Sequence, residues 1–131
     1  MDKKIIIMIT LLLTSLLFGC APEEKVYVQD DLNSIHSKFV SVGSDLTDLQ
    51  KDTYWENDYK NKWIKDSIKV EFVGNNYFSS PKFLIYVASS DRGKLVNINK
   101  GDTISFEGRL SAYSYWNDYV EVKEAVIIGR G

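Results

Sequence analysis

Between Asp31 and Ile128 the spacing of apolar residues changes period once, and that change divides the folded part of the chain. From Asp31 to Val40, Leu32, Ile35, Phe39 and Val40 recur at helical spacing, which predicts a short amphipathic helix ended by Ser41-Val42-Gly43. Ser44 or Asp45 is the expected N-cap of a second helical segment running to Trp63. Acidic residues fill its first turn, and Lys60 and Lys62 sit near its end, where each sign complements the helix dipole. From Ile64 the period falls to two. Ile64, Ser67-Ile68, Val70 and Phe72 are separated by Lys65, Lys69 and Glu71, the pattern of a strand with one face buried.

Asn75-Asn76 marks a turn, and Lys82–Ala88, apolar on both faces and preceded by Pro81, reads as a second strand. Ser89–Gly93 turns the chain into a short third strand, Leu95–Ile98. Asn99-Lys100-Gly101-Asp102 is a turn in which glycine can supply a positive φ. The fourth strand, from Thr103, places Ile104, Phe106, Gly108 and Leu110 on one face, and the fifth covers Tyr119–Ile128. A glycine in the inward row weakens a sheet unless it marks a bulge or a sharp bend, as at the corner of a small barrel.

Five short strands with tight turns suit a closed barrel better than a sandwich. The segments Tyr59–Val73 (YKNKWIKDSIKVEFV), Asn99–Ser111 (NKGDTISFEGRLS) and Asp118–Ile127 (DYVEVKEAVI), with the short LVNI between them, resemble the OB-fold group of bacterial secreted and lipid-anchored proteins labelled tRNA-anticodon-like. That resemblance implies a mainly β domain: a small five-stranded OB-fold barrel over 63–131, preceded by one or two short helices in 32–62 that pack on it. With only Asn99–Asp102 between strands three and four, the helix plugging the barrel end is expected from Asp45–Asp58, and Tyr54, Trp55, Tyr59 and Trp63 are expected to cover that end.

The N-terminus changes the picture from a fold to an address. Lys3 and Lys4 precede an apolar run from Ile5 to Phe18, the order of a secretory signal peptide over residues 1–19. At about 1.5 Å per residue, such a run covers about 21 Å, short of a hydrocarbon core about 30 Å thick. Leu17-Phe18-Gly19-Cys20 resembles the lipobox of bacterial lipoproteins, which implies that Cys20 is lipidated and, with palmitate added, anchors the chain to the membrane. Cys20 is the only cysteine, so no disulfide forms within the chain. Ala21 in place of aspartate implies outer-membrane sorting in a cell envelope that has an outer membrane. Residues 20–31, acidic and containing Pro22, read as a flexible tether.

Removing Lys3, Lys4 and Asp2 from 16 basic and 18 acidic residues leaves 14 against 17. A net negative domain is poorly suited to a phosphate backbone, whose affinity comes from Lys and Arg. His36 is the only histidine and is expected at the surface or half-packed; alone it makes neither a triad nor a zinc site. No nucleophile elbow, zinc-protease helix or phosphate loop occurs. The reading is therefore non-enzymatic, without cofactor or metal.

OB folds bind ligands across strands two and three and at two loops. Here those loops are 75–80, with Tyr77 and Phe78, and 113–118, with Tyr113, Tyr115 and Trp116, followed by Tyr119. These six rings are the candidate ligand-binding residues, since aromatic side chains give contact area at little rotamer cost. The alternative is that they pair across a hairpin and only stabilise the sheet; the two readings stand close, packing slightly ahead. With few cations nearby, a protein or glycan partner is expected, one version being a phage- or plasmid-encoded protein that shields an envelope receptor. A single-stranded nucleic-acid-binding OB module is the alternative.

Overall fold

The computed structural model describes residues 24–131, a mainly β domain with two α-helices ahead of one mixed six-stranded sheet. Helix α1 spans Leu32–Phe39. The Asp31 carboxylate caps it by accepting from the Ser34 N–H at 2.7 Å, and Leu32, Ile35, His36 and Phe39 form its buried stripe. The Leu32 N–H donates to Asp66 Oδ2 at 2.8 Å, which fixes the helix start to the sheet. Helix α2 spans Asp48–Tyr54 and is capped by Thr47, neither Ser44 nor Asp45. Thr47 and Gln50 make a reciprocal capping box, Gln50 N–H to Thr47 Oγ1 at 3.2 Å and Thr47 N–H to Gln50 Oε1 at 2.9 Å.

At Trp55 the helix widens into a π-turn through Tyr59. This stacks Trp55 on Tyr59, ring centroids 6.0 Å apart and nearly parallel. Phe39 meets both rings edge-on, at 5.2 and 5.0 Å. Burying Phe39 fully contributes about 1.5–3 kcal/mol, and it makes this cluster the hinge between helices and sheet. Trp55 and Tyr59 are buried in the core, whereas Tyr54 is exposed and Trp63 half-buried.

The strands are β1 (Trp63–Lys69), β2 (Phe72–Val73), β3 (Tyr77–Ser79), β4 (Phe83–Val87), β5 (Thr103–Ser114) and β6 (Tyr119–Arg130). They lie in the order β1-β5-β6-β4-β3-β2, antiparallel except for the parallel β4–β6 pair. The sheet is not closed, and among the described residues no ladder joins β1 to β2. Only Val70 and Glu71 separate these two edge strands in the chain. The Val70 N–H donates to Asp102 O, and the Glu71 N–H to Ser79 O, each at 2.8 Å, so the backbone turns from one edge of the sheet to the other there. Phe72, expected on the inner face, is consequently exposed.

Three further expectations are corrected. Leu95–Ile98 is not a strand: Ser89–Asn97 is a 3-10 helix, and Leu95 within it and Ile98, its C-cap three residues on, are both buried. Residues 77–79, expected as loop, form β3, and the folded part begins before Leu32. Val26 O accepts from the Trp63 N–H at 2.8 Å and the Val28 N–H donates to Trp63 O at 2.9 Å, so residues 26–28 run beside β1.

Ile104, Phe106, Gly108 and Leu110 do face inward. The β5–β6 register shifts between Glu107 and Arg109, the bulge that Gly108 announces. A Cβ on Gly108 would stand 2.4 Å from Val122 Cγ1, so glycine permits the close approach of the two strands. Gly101, with φ +93°, supplies the expected turn before β5.

Candidate functional site

The β5–β6 hairpin turns through 115–118, with Asp118 in the left-handed region at φ 57°. His36 holds that turn. It is 3 % exposed, more deeply buried than the surface or half-packed position expected of it, and its Nε2 lies 3.0 Å from Asp118 Oδ1 and 3.2 Å from Asp118 O. Both oxygens are acceptors, so Nε2 carries the proton and Nδ1 accepts from Ser41 Oγ at 3.3 Å. The imidazole thereby ties α1, the segment after it and the hairpin together, with neither nitrogen open to a substrate.

Tyr113 is anchored rather than free. Its ring packs on Phe39 at 5.2 Å and on Trp55 at 5.1 Å, and its hydroxyl donates to Asp52 Oδ1 at 2.8 Å. Burial pushes the phenol pKa well up, and the bond to Asp52 and the charges of Asp52 and Asp48 push it further. Beyond Tyr113 the tip is open: Tyr115 is 50 % and Trp116 92 % exposed, their rings edge-to-face at 5.9 Å.

Between this tip, the segment 41–44 and the first turns of α2 lies a groove of about 500 Å³, within the usual size of small-ligand pockets. Ser41 and Ser44 contribute to one wall, Asp48, Lys51 and Asp52 to another, and Tyr115 with Trp116 to the rim. Lys51 is 8 % exposed, with its Nζ 5.5 Å from the centre of the Tyr115 ring. Its burial follows from helical spacing, since Thr47, Lys51 and Trp55 lie on successive turns of one face. In the sequence Lys51 stands among Gln50, Asp52 and Thr53 and looks like any solvated lysine; the capping box at Thr47 was the only signal that fixed the phase of this helix.

The six candidate rings are not brought together. Tyr113, Tyr115 and Trp116 gather at the groove. Tyr77 meets Tyr86 edge-on at 6.1 Å on the outer face of the sheet. Burial raises the Tyr86 phenol pKa, and the charge of Glu121 raises it further. Tyr119 opens β6 and is half-buried, apart from the Tyr77–Tyr86 pair. Tyr86 is a partner of Tyr77 that the sequence did not single out. Phe78 is a correction: it is 0 % exposed, pointing inward from β3 against Phe106 at 5.8 Å, and cannot touch a ligand.

Cys20 and residues 1–19, expected to be a signal peptide, lie outside the described residues. Among the described residues no helix is long and apolar enough to cross a membrane, and no three His, Cys, Asp or Glu side chains are grouped to hold a metal ion. No family model, curated protein or solved structure matches the chain.

Proposed function

We propose that this chain is a lipid-anchored, extracytoplasmic, non-enzymatic domain that binds a protein or glycan partner through the hairpin tip at Tyr115 and Trp116. The observation that carries the reading is the near-complete exposure of Trp116 at the rim of a polar groove, on a turn fixed from behind by buried His36. An exposed tryptophan that packed the hairpin would lie against the sheet; this one offers its ring to solvent. Large rigid aromatics on a preorganised loop are the residues that dominate binding energy.

An OB-type barrel is our reading of the sheet. Three features support it: its two edge strands follow one another in the chain, β1 and β2 act as one strand bent at Val70–Glu71, and a helical turn connects β4 to β5. Counted in that way the strands are five, in a barrel left partly open, and the hairpin tip is the loop between the fourth and fifth. The nucleic-acid alternative draws no support from the groove, where Lys51 stands against Asp48 and Asp52.

The test is cross-linking and pull-down from intact envelopes with the wild-type chain and the Tyr115→Ala, Trp116→Ala double variant. Partner capture is expected to fall while stability changes by no more than about 0.5 kcal/mol, as for exposed positions. A large loss of stability with capture retained would return the rings to a packing role.

A further inference from the structure

Lys51 presents an unusual combination. More than nine-tenths of the residue is withdrawn from solvent, yet among the described residues no hydrogen bond or ion pair takes up its ammonium; its one close neighbour of note is the Tyr115 ring. Asp48 and Asp52 line the same groove without pairing with it. The stem of Lys51 is what is buried; the ammonium still reaches the groove, where its donors are open to a ligand.

The chemistry of the groove narrows what that partner is. Lys51 is donor-only, the two carboxylates are acceptor-only, and the Ser41 and Ser44 hydroxyls can do either. An anionic ligand drawn to Lys51 meets Asp48 and Asp52, and a cationic ligand drawn to the carboxylates meets Lys51. A neutral polyol meets neither penalty, because each hydroxyl accepts from an ammonium while donating to a carboxylate. The exposed Trp116 ring adds an apolar face on which the C–H side of a sugar ring can lie, as amphipathic ligands lie on tryptophan.

We infer that the groove binds an uncharged pyranose unit of a glycan, with Lys51 hydrogen-bonding its hydroxyls, Asp48 and the free oxygen of Asp52 accepting from them, and Trp116 stacking on the ring. This rests on the binding role proposed above and narrows it from protein or glycan to neutral sugar.

The experiment presents the full-length protein, in mild detergent, to an array of neutral, acidic and basic oligosaccharides, then titrates the best neutral one by tryptophan fluorescence. Neutral oligosaccharides are expected to be retained. Lys51→Met, which keeps the stem and removes the ammonium, should weaken binding more than about ten-fold, while Lys51→Arg, which keeps donors, should lose less. Trp116→Ala, at an exposed position that folding does not need, should abolish retention on the array at an unchanged melting temperature, and it carries the test should Lys51→Met unfold the domain. Retention of acidic or basic glycans only, or wild-type affinity in a folded Lys51→Met variant, overturns the inference. A blank array beside envelope capture that still depends on Trp116 overturns the sugar assignment alone; loss of both overturns the binding role as well.

Discussion

The Tyr113 hydroxyl donates to Asp52 Oδ1 at 2.8 Å, and this one bond ties β5 to α2 at the wall of the groove. Removing it by Tyr113→Phe is expected to cost about 0.5–1.5 kcal/mol, toward the lower end because Asp52 can be rehydrated. The bond has a pH signature. The folded phenol pKa is raised above its ordinary 10.0, so folding is favoured fully below that value and the contribution is lost as pH rises, since the unfolded tyrosine ionises first. Urea denaturation at about pH 8 and about pH 11 should show stability falling only at the alkaline end, with a shallower fall in Tyr113→Phe. Tyr59 and Tyr86 are raised too and keep part of the slope. An alkaline slope identical in wild type and variant would show that Tyr113 does not contribute.

Gly108 is expected to reject even a methyl group. Its Cβ would meet Val122 Cγ1 at 2.4 Å, and Ala125 Cβ and the Lys123 carbonyl at 3.3 Å, all on a strand with no room to withdraw. Gly108→Ala should destabilise by about 1–3 kcal/mol. Val122→Ala vacates the clashing atom, so the double variant should lose less than the two single losses added together. Strict additivity in chemical denaturation would mean the strands separate instead.

The turn at Asp118 needs both an acceptor and a left-handed backbone. Asn keeps an oxygen for His36 and tolerates positive φ, so Asp118→Asn should change stability by less than about 0.5 kcal/mol, whereas Asp118→Val should cost about 1–3 kcal/mol. Amide hydrogen exchange at Asn117–Tyr119 should quicken in the valine variant. Equal exchange in both would separate the His36 contact from the order of the hairpin.

Cys20→Ser should abolish palmitate labelling and release the protein from the membrane fraction, because a hydroxyl does not take the thioether-linked lipid. Undiminished labelling of the serine variant would sink the anchoring proposal.

The parts of the fold legible in the sequence were those where burial alternates strictly with polarity. The row Ile104, Phe106, Gly108, Leu110 and the stripe Leu32, Ile35, Phe39 went where their periods pointed. Leu95 and Ile98 misled because a spacing of three serves a tight helical turn, and the segment is too short for period alone to decide. β3 was hidden because its three residues lie between Asn75-Asn76 and Ser80-Pro81, which look like turn on both sides. The site was half legible. Rings at 115 and 116 could be expected at an exposed tip, but burial of Lys51 and His36 depends on packing between distant segments, and residue type argues against both.

The clamp of residues 26–28 on Trp63 sets a working height for the domain. An anchor at Cys20 leaves six residues to Val26, at most about 20 Å of extended chain. A domain of this size adds roughly 30 Å, from a radius of gyration of about 13 Å. With the proposed lipid anchor in place, the hairpin tip would sweep a shell about 50 Å deep above the lipid. Within so short a leash, a partner in the same envelope meets it at high local concentration, while one on an approaching surface must first come into that shell.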